Sequence, residues 1–139
     1  MSKKNERILY AGIECVVDGK PVHCTLEWLN DPVDMPCLYR NYFENYPFGE
    51  TVELHLIRKG ANSTHSGYQV ELPESIVPWF ALRIPHITMS VADGCKAVDT
   101  WKVFATAGNC IDCDITVIGT IGYWTSKRGF QTKPLKLMR

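Results

Sequence analysis

Apolar and polar residues alternate along several short runs of this chain, and the sharpest of them surround Asp18-Gly19. That dipeptide suits a two-residue type I′ turn, because both central residues must take positive φ. Such a loop sets Val17 opposite Lys20, Cys15 opposite Val22, Ile13 opposite Cys24, Ala11 opposite Leu26 and Leu9 opposite Trp28. The eight side chains of the last four pairs then share one core-compatible face. Tyr10, Glu14, His23, Thr25 and Glu27 fall on the other, with Gly12 and Pro21. A slip of one residue would mix the two sets, so the pattern specifies its own register.

The period changes after Asp31-Pro32. Met35, Leu38, Tyr39, Tyr42, Phe43 and Tyr46 follow helical spacing, which predicts one short α-helix over about residues 35–46. Asp34 can cap it, Pro36 fits its first turn, and Pro47 with Gly49 ends it. Alternation resumes with Val52, Leu54 and Leu56 facing in and Glu53, His55 and Lys59 facing out. A polar loop from Gly60 to Gly67 leads to a short strand through Tyr68, Val70 and Leu72. Pro73 to Pro85 is ambiguous, since Pro78 weakens any long helix. Asp93-Gly94 signals a further hairpin, between residues 87–91 and a strand over 97–105, with a longer loop or a bulge. A last strand, Cys113 to Trp124, puts Cys113, Ile115, Val117, Ile121 and Tyr123 on one face. Gly119 marks a bulge or a close backbone approach in it.

This succession predicts a mainly β fold: an antiparallel β-sandwich or closed barrel of six to seven short strands, with one short α-helix. The 139 residues read as a single domain, 1–139, ending in a basic segment, 125–139. Apolar content of 45% and charged content of 22% are those of an ordinary globular chain. The net charge of zero argues against a broad nucleic-acid-binding surface. No apolar run approaches a membrane span, and the polar start is not a secretory signal. A cytoplasmic location with reduced cysteines is therefore expected.

Candidate chemistry is sparse. Cys110 and Cys113 have the spacing of half a zinc site, but no second pair completes it, so two packed thiols are the plainer expectation. Cys15 and Cys24 lie diagonally on the inner hairpin face and are expected to pack. Glu14 with His23, and Glu53 with His55, are outer-face pairs that suit solvated salt bridges more than acid–base work. No nucleophile elbow, phosphate loop or metal-binding helix motif is present. The chain therefore reads as non-catalytic and without a cofactor.

What remains is a protein that acts by contact, as a protein–protein interaction or assembly protein, in a self-associating or partnered form. By elimination, a compact domain without motifs suits a phage or mobile-element accessory protein, such as a virion component or an inhibitor of a host system. The expected contact residues are Tyr39, Tyr42, Phe43, Tyr46 and Phe48, together with Trp124, Lys127, Arg128, Phe130, Lys133 and Lys136 of the tail. The alternative for the tyrosine stripe is a place in the core. The alternative for the tail is a basic arm of a single-stranded nucleic-acid-binding barrel, with Trp124 and Phe130 stacking on bases.

Overall fold

The computed structural model describes residues 6–33 and 42–134. It is mostly β, with seven antiparallel strands: β1 (Arg7–Val17), β2 (Lys20–Pro32), β3 (Thr51–Ala61), β4 (His65–Glu71), β5 (His86–Val91), β6 (Cys110–Thr125) and β7 (Gly129–Gln131). Their order is β1-β2-β5-β4-β3-β6-β7, and β1 also pairs with β6. Six strands thus close into a barrel, and β7 extends β6 outside the closure. Of the expected sandwich or barrel, the barrel is what forms. Closure leaves no free sheet edge on those six strands.

The first hairpin takes its expected register from Val17↔Lys20 to Gly12↔Thr25. Asp18 (φ 53) and Gly19 (φ 75) supply the two positive φ angles of the turn. The expected pairing then breaks. Ala11 lies opposite Glu27 instead of Leu26, and Tyr10 opposite Trp28. One extra residue on β2 makes a bulge, which accentuates the local twist. Its effect is to turn Trp28 from the inner face to the outer one, where it is 44% exposed. A second shift, at Leu9, occurs in the pairing of β1 with both β2 and β6.

The Asp93-Gly94 turn forms, with Gly94 at φ 81, but no hairpin follows it. Residues 97–104 are helical: a 3₁₀ turn (Ala97–Thr100) runs into a single α-helical turn, α1 (Trp101–Phe104). The burial of Thr100, Val103 and Phe104 explains this, because spacing of three and four places them on one helical face. That face seats on the sheet at Gly60, where an added Cβ would come within 2.7 Å of the Val103 side chain. Strand β5 pairs instead with β4 and, at the single pair Cys24↔Ile87, with β2.

Of the helix expected over 35–46, residues 35–41 lie outside the described residues. Tyr42 to Asn45 form a turn, with Asn45 at φ 62. This segment plugs one end of the barrel. Phe43 and Tyr46 are buried and pack on Phe48; Phe43 and Phe48 also meet Tyr123. The Tyr46 hydroxyl donates to the Gly122 carbonyl at 2.7 Å, and the Trp79 indole donates to the Tyr42 carbonyl at 2.9 Å. The interior holds Ile8, Ile13, Leu26, Leu54, Leu56, Ile87 and Ile121 at zero exposure. No helix among the described residues is long and apolar enough to cross a membrane.

Candidate functional site

The bulges that close the barrel also build a row of rings on its outer face. Phe130 on β7 pairs with Trp124 on β6, Trp124 with Tyr10 on β1, and Tyr10 with Trp28 on β2. Successive ring centroids lie 4.6, 4.7 and 4.9 Å apart. Direct cross-strand neighbours are the closest side chains a sheet offers, so the row runs perpendicular to the strands over roughly 14 Å. Gly122 makes room for its far end. A Cβ there would fall 2.6 Å from the Phe130 ring. His23 joins the row from the side, stacked on Tyr10 at 5.0 Å and tilted on Trp124 at 4.9 Å.

Beyond β2 the row opens into a groove of about 930 Å³. It lies where the β2–β5 ladder narrows to one pair. Its lining includes His23 and Trp28 of β2, His86 and Thr88 of β5, and Val98 and Trp101 beyond them. Arg83 stacks on Trp101, its guanidinium carbon 4.7 Å from the ring centroid. Lys20, at the start of β2, also lines the groove, its ammonium donating to the Met89 carbonyl at 2.6 Å. The mixture of apolar walls with a few convergent polar groups is that of a binding site.

His23 and His86 stand diagonally across the β2–β5 seam. Burial holds both imidazoles below the ordinary histidine pKa, and charge on His86 further disfavours protonation of His23. The Nδ1 of His86 faces the Ile84 carbonyl at 2.7 Å. Glu14 sits opposite His23 in the ladder as expected. Both imidazoles are therefore uncharged at neutral pH. The unfolded chain takes up protons at these two positions below pH ~6.5 that the folded chain resists. Stability should fall as pH drops from 7 toward 5, and the double substitution His23→Gln/His86→Gln should flatten that fall. Urea midpoints across this range measure it. An unchanged pH slope in the double variant would count against the buried placement.

His55 is the opposite case. Its Nε2 meets Asp114 at 2.6 Å and its Nδ1 meets Glu71 at 3.5 Å on the exposed face of β3, β4 and β6. The hydrogen bond to Asp114, above all, raises its pKa. Its expected partner Glu53 is not the group it uses. Such an exposed cluster contributes little to stability.

The other expected site residues are distributed as follows. The Cys110 thiol points to the Val103 and Thr106 carbonyls, and the Cys113 thiol to the Leu56 carbonyl at 3.3 Å. The two do not converge on a common point, and no group of three or more His, Cys, Asp or Glu among the described residues is arranged to hold a metal ion. Burial drives the Cys15 thiol up to about 11 and the Cys24 thiol up to about 12, which leaves them protonated and inert. Tyr42, Phe43, Tyr46 and Phe48 belong to the end plug; Phe43 and Tyr46 face the core rather than solvent. Tyr39 and Lys136 lie outside the described residues.

The basic segment is not a free arm over residues 125–134. Thr125 ends β6, and β7 returns along it. Arg128 donates to the buried Glu6 carboxylate at 2.8 Å. Ser126 exchanges two hydrogen bonds with the Arg7 backbone. The Lys133 carbonyl accepts the Tyr123 hydroxyl. Trp124 and Phe130 do belong to the outer-face row, but Tyr10 and Trp28 are not among the expected contact residues. The placement of Tyr10 on the outer hairpin face was the one available signal. No protein-family model matches the chain, and no curated protein matches it in sequence.

Proposed function

We propose that this is a non-catalytic binding protein that recognises a partner protein through the outer face spanning β7, β6, β1 and β2 and the groove beside it. The observation that carries this reading is the row Phe130–Trp124–Tyr10–Trp28. Four large rings on the solvent side of a closed barrel are not needed to fill its core. Tyr and Trp are the residues that most often anchor protein interfaces. Mutual packing holds these rings in place beforehand, so association costs little side-chain entropy.

A partner protein suits the row better than single-stranded nucleic acid. Base stacking needs open ring faces. The Tyr10 ring is already packed against His23, Trp124 and Trp28, with centroids 4.7–5.0 Å away. Arg128, in the turn between β6 and β7, is engaged by Glu6.

Trp28→Ala tests the reading, because this ring is the most exposed of the row and its loss leaves the core intact. The variant should fold like the parent by circular dichroism. A partner captured by the parent protein from cells should bind it at least about 30-fold more weakly, as for a central interface anchor. Hydrogen exchange on the parent complex should show protection at β1, β2 and the end of β6. Undiminished binding by the variant, or protection confined to the other side of the barrel, would remove the proposal.

A further inference from the structure

The groove beside the row differs from the rest of the surface in its charge. The chain carries as many acidic as basic residues, 15 of each. Among the described residues, however, no Asp or Glu lines the groove, while the cations Lys20 and Arg83 do. Lys20 and Arg83 are both exposed and form no ion pair with described residues. Lys20 rests on a carbonyl and Arg83 on an indole face, so each keeps donors for an incoming anion. Between them lies apolar surface, with Trp28 and Val98 exposed at 44% and 43%.

The shape adds a second constraint. The lining follows β2 from Lys20 to Trp28. Eight residue steps of strand span about 26 Å. That length is too great for a compact small molecule and suits a chain of about eight extended residues. The site is also continuous with the aromatic row through Trp28 and His23.

From these observations we infer that the groove receives an extended segment of the partner protein that is both acidic and apolar. Its carboxylates would meet Lys20 and Arg83 at the two ends, and its apolar side chains would lie between Trp28 and Trp101. The neutral imidazoles of His23 and His86 offer hydrogen-bonding nitrogens to its backbone. This inference rests on the proposed protein-binding function and names the chemistry of the partner at that face.

The test uses fluorescein-labelled ten-residue peptides and the full chain. One peptide alternates Glu with Leu, a second replaces every Glu by Lys, and a labelled deca-thymidylate is the third probe. The acidic peptide should raise anisotropy saturably below about 1 mM, and the basic peptide should not. Charge reversal by Lys20→Glu with Arg83→Glu should weaken the acidic peptide by about tenfold or more and admit the basic one. The neutral pair Lys20→Gln with Arg83→Gln should give the intermediate result with less risk to folding. Equal binding of both peptides, no binding of the acidic one, or displacement of it by deca-thymidylate at lower concentration overturns the inference. If the captured partner is lost with Trp28→Ala but retained after charge reversal, the protein-binding function stands and the acidic segment falls.

Discussion

Replacing Phe43 with alanine should lower the unfolding free energy by about 3–5 kcal/mol, the largest effect expected of any single side chain in the end plug. Phe43 is 5% exposed and its ring meets those of Tyr42, Tyr46, Phe48 and Tyr123 at 5.0–5.6 Å. Truncation removes apolar area and leaves a cavity that four rigid rings cannot collapse into without losing their own contacts. Urea unfolding followed by tryptophan fluorescence measures the change. The result separates two roles for the tyrosine-rich stripe. A docking surface would leave unfolding within about 1 kcal/mol of the parent and change binding alone. A plug changes unfolding first.

Arg128→Ala should cost about 2–3 kcal/mol, from a different cause. Glu6 has 4% of its side chain exposed, and Arg128 has 38%. Breaking a fully buried pair by removing one partner costs about 3–5 kcal/mol; the wet side of this one reduces the figure. What is lost is mainly the compensation for the Glu6 charge. Burial alone would raise the Glu6 carboxyl pKa, but hydrogen bonds from Arg128 and Thr125 and the Arg128 charge bring it below the ordinary value. The stabilisation is thus present at neutral pH and fades as pH falls below about 4.5, through the lowered value. In the alanine variant the carboxyl should titrate above 4.5, and adding Glu6→Gln should recover part of the loss. Equal stability of parent and Arg128→Ala at pH 7 would refute the pairing. The result also bears on any attempt to neutralise the basic segment wholesale, since Arg128 would bring unfolding into a binding experiment.

The first hairpin was legible because turn chemistry and face segregation are both local. Its failure began at Leu26, where strict alternation has no means of registering an inserted residue. The bulge answers to closure of the barrel, a property of all six strands together. Residues 97–105 misled for a related reason. Val98, Trp101, Val103 and Phe104 favour strands, yet the surface available to them is the glycine-floored end of β3, which accepts a helical face. The site was less visible still. Tyr10, Trp28, Trp124 and Phe130 become neighbours through three strand pairings, one of which joins opposite ends of the chain. Charge counting likewise found five cations after residue 125 but not the carboxylate 122 residues away that one of them serves.

The pairing of β1 with β6 sets the order of events during synthesis. Arg7 and Ser126 are bonded across 119 residues, so the barrel stays open until β6 leaves the ribosome. At about 5–20 residues per second, the β1–β2 hairpin waits roughly 5–20 s for the strand that completes it. Through that interval β1 and β3 each present an unpaired edge, the geometry that recruits other chains. Folding of the finished chain falls in the slow range for non-local β topologies, milliseconds to seconds. A translation stop or a proteolytic cut ahead of β6 yields two sticky edges rather than a smaller stable domain.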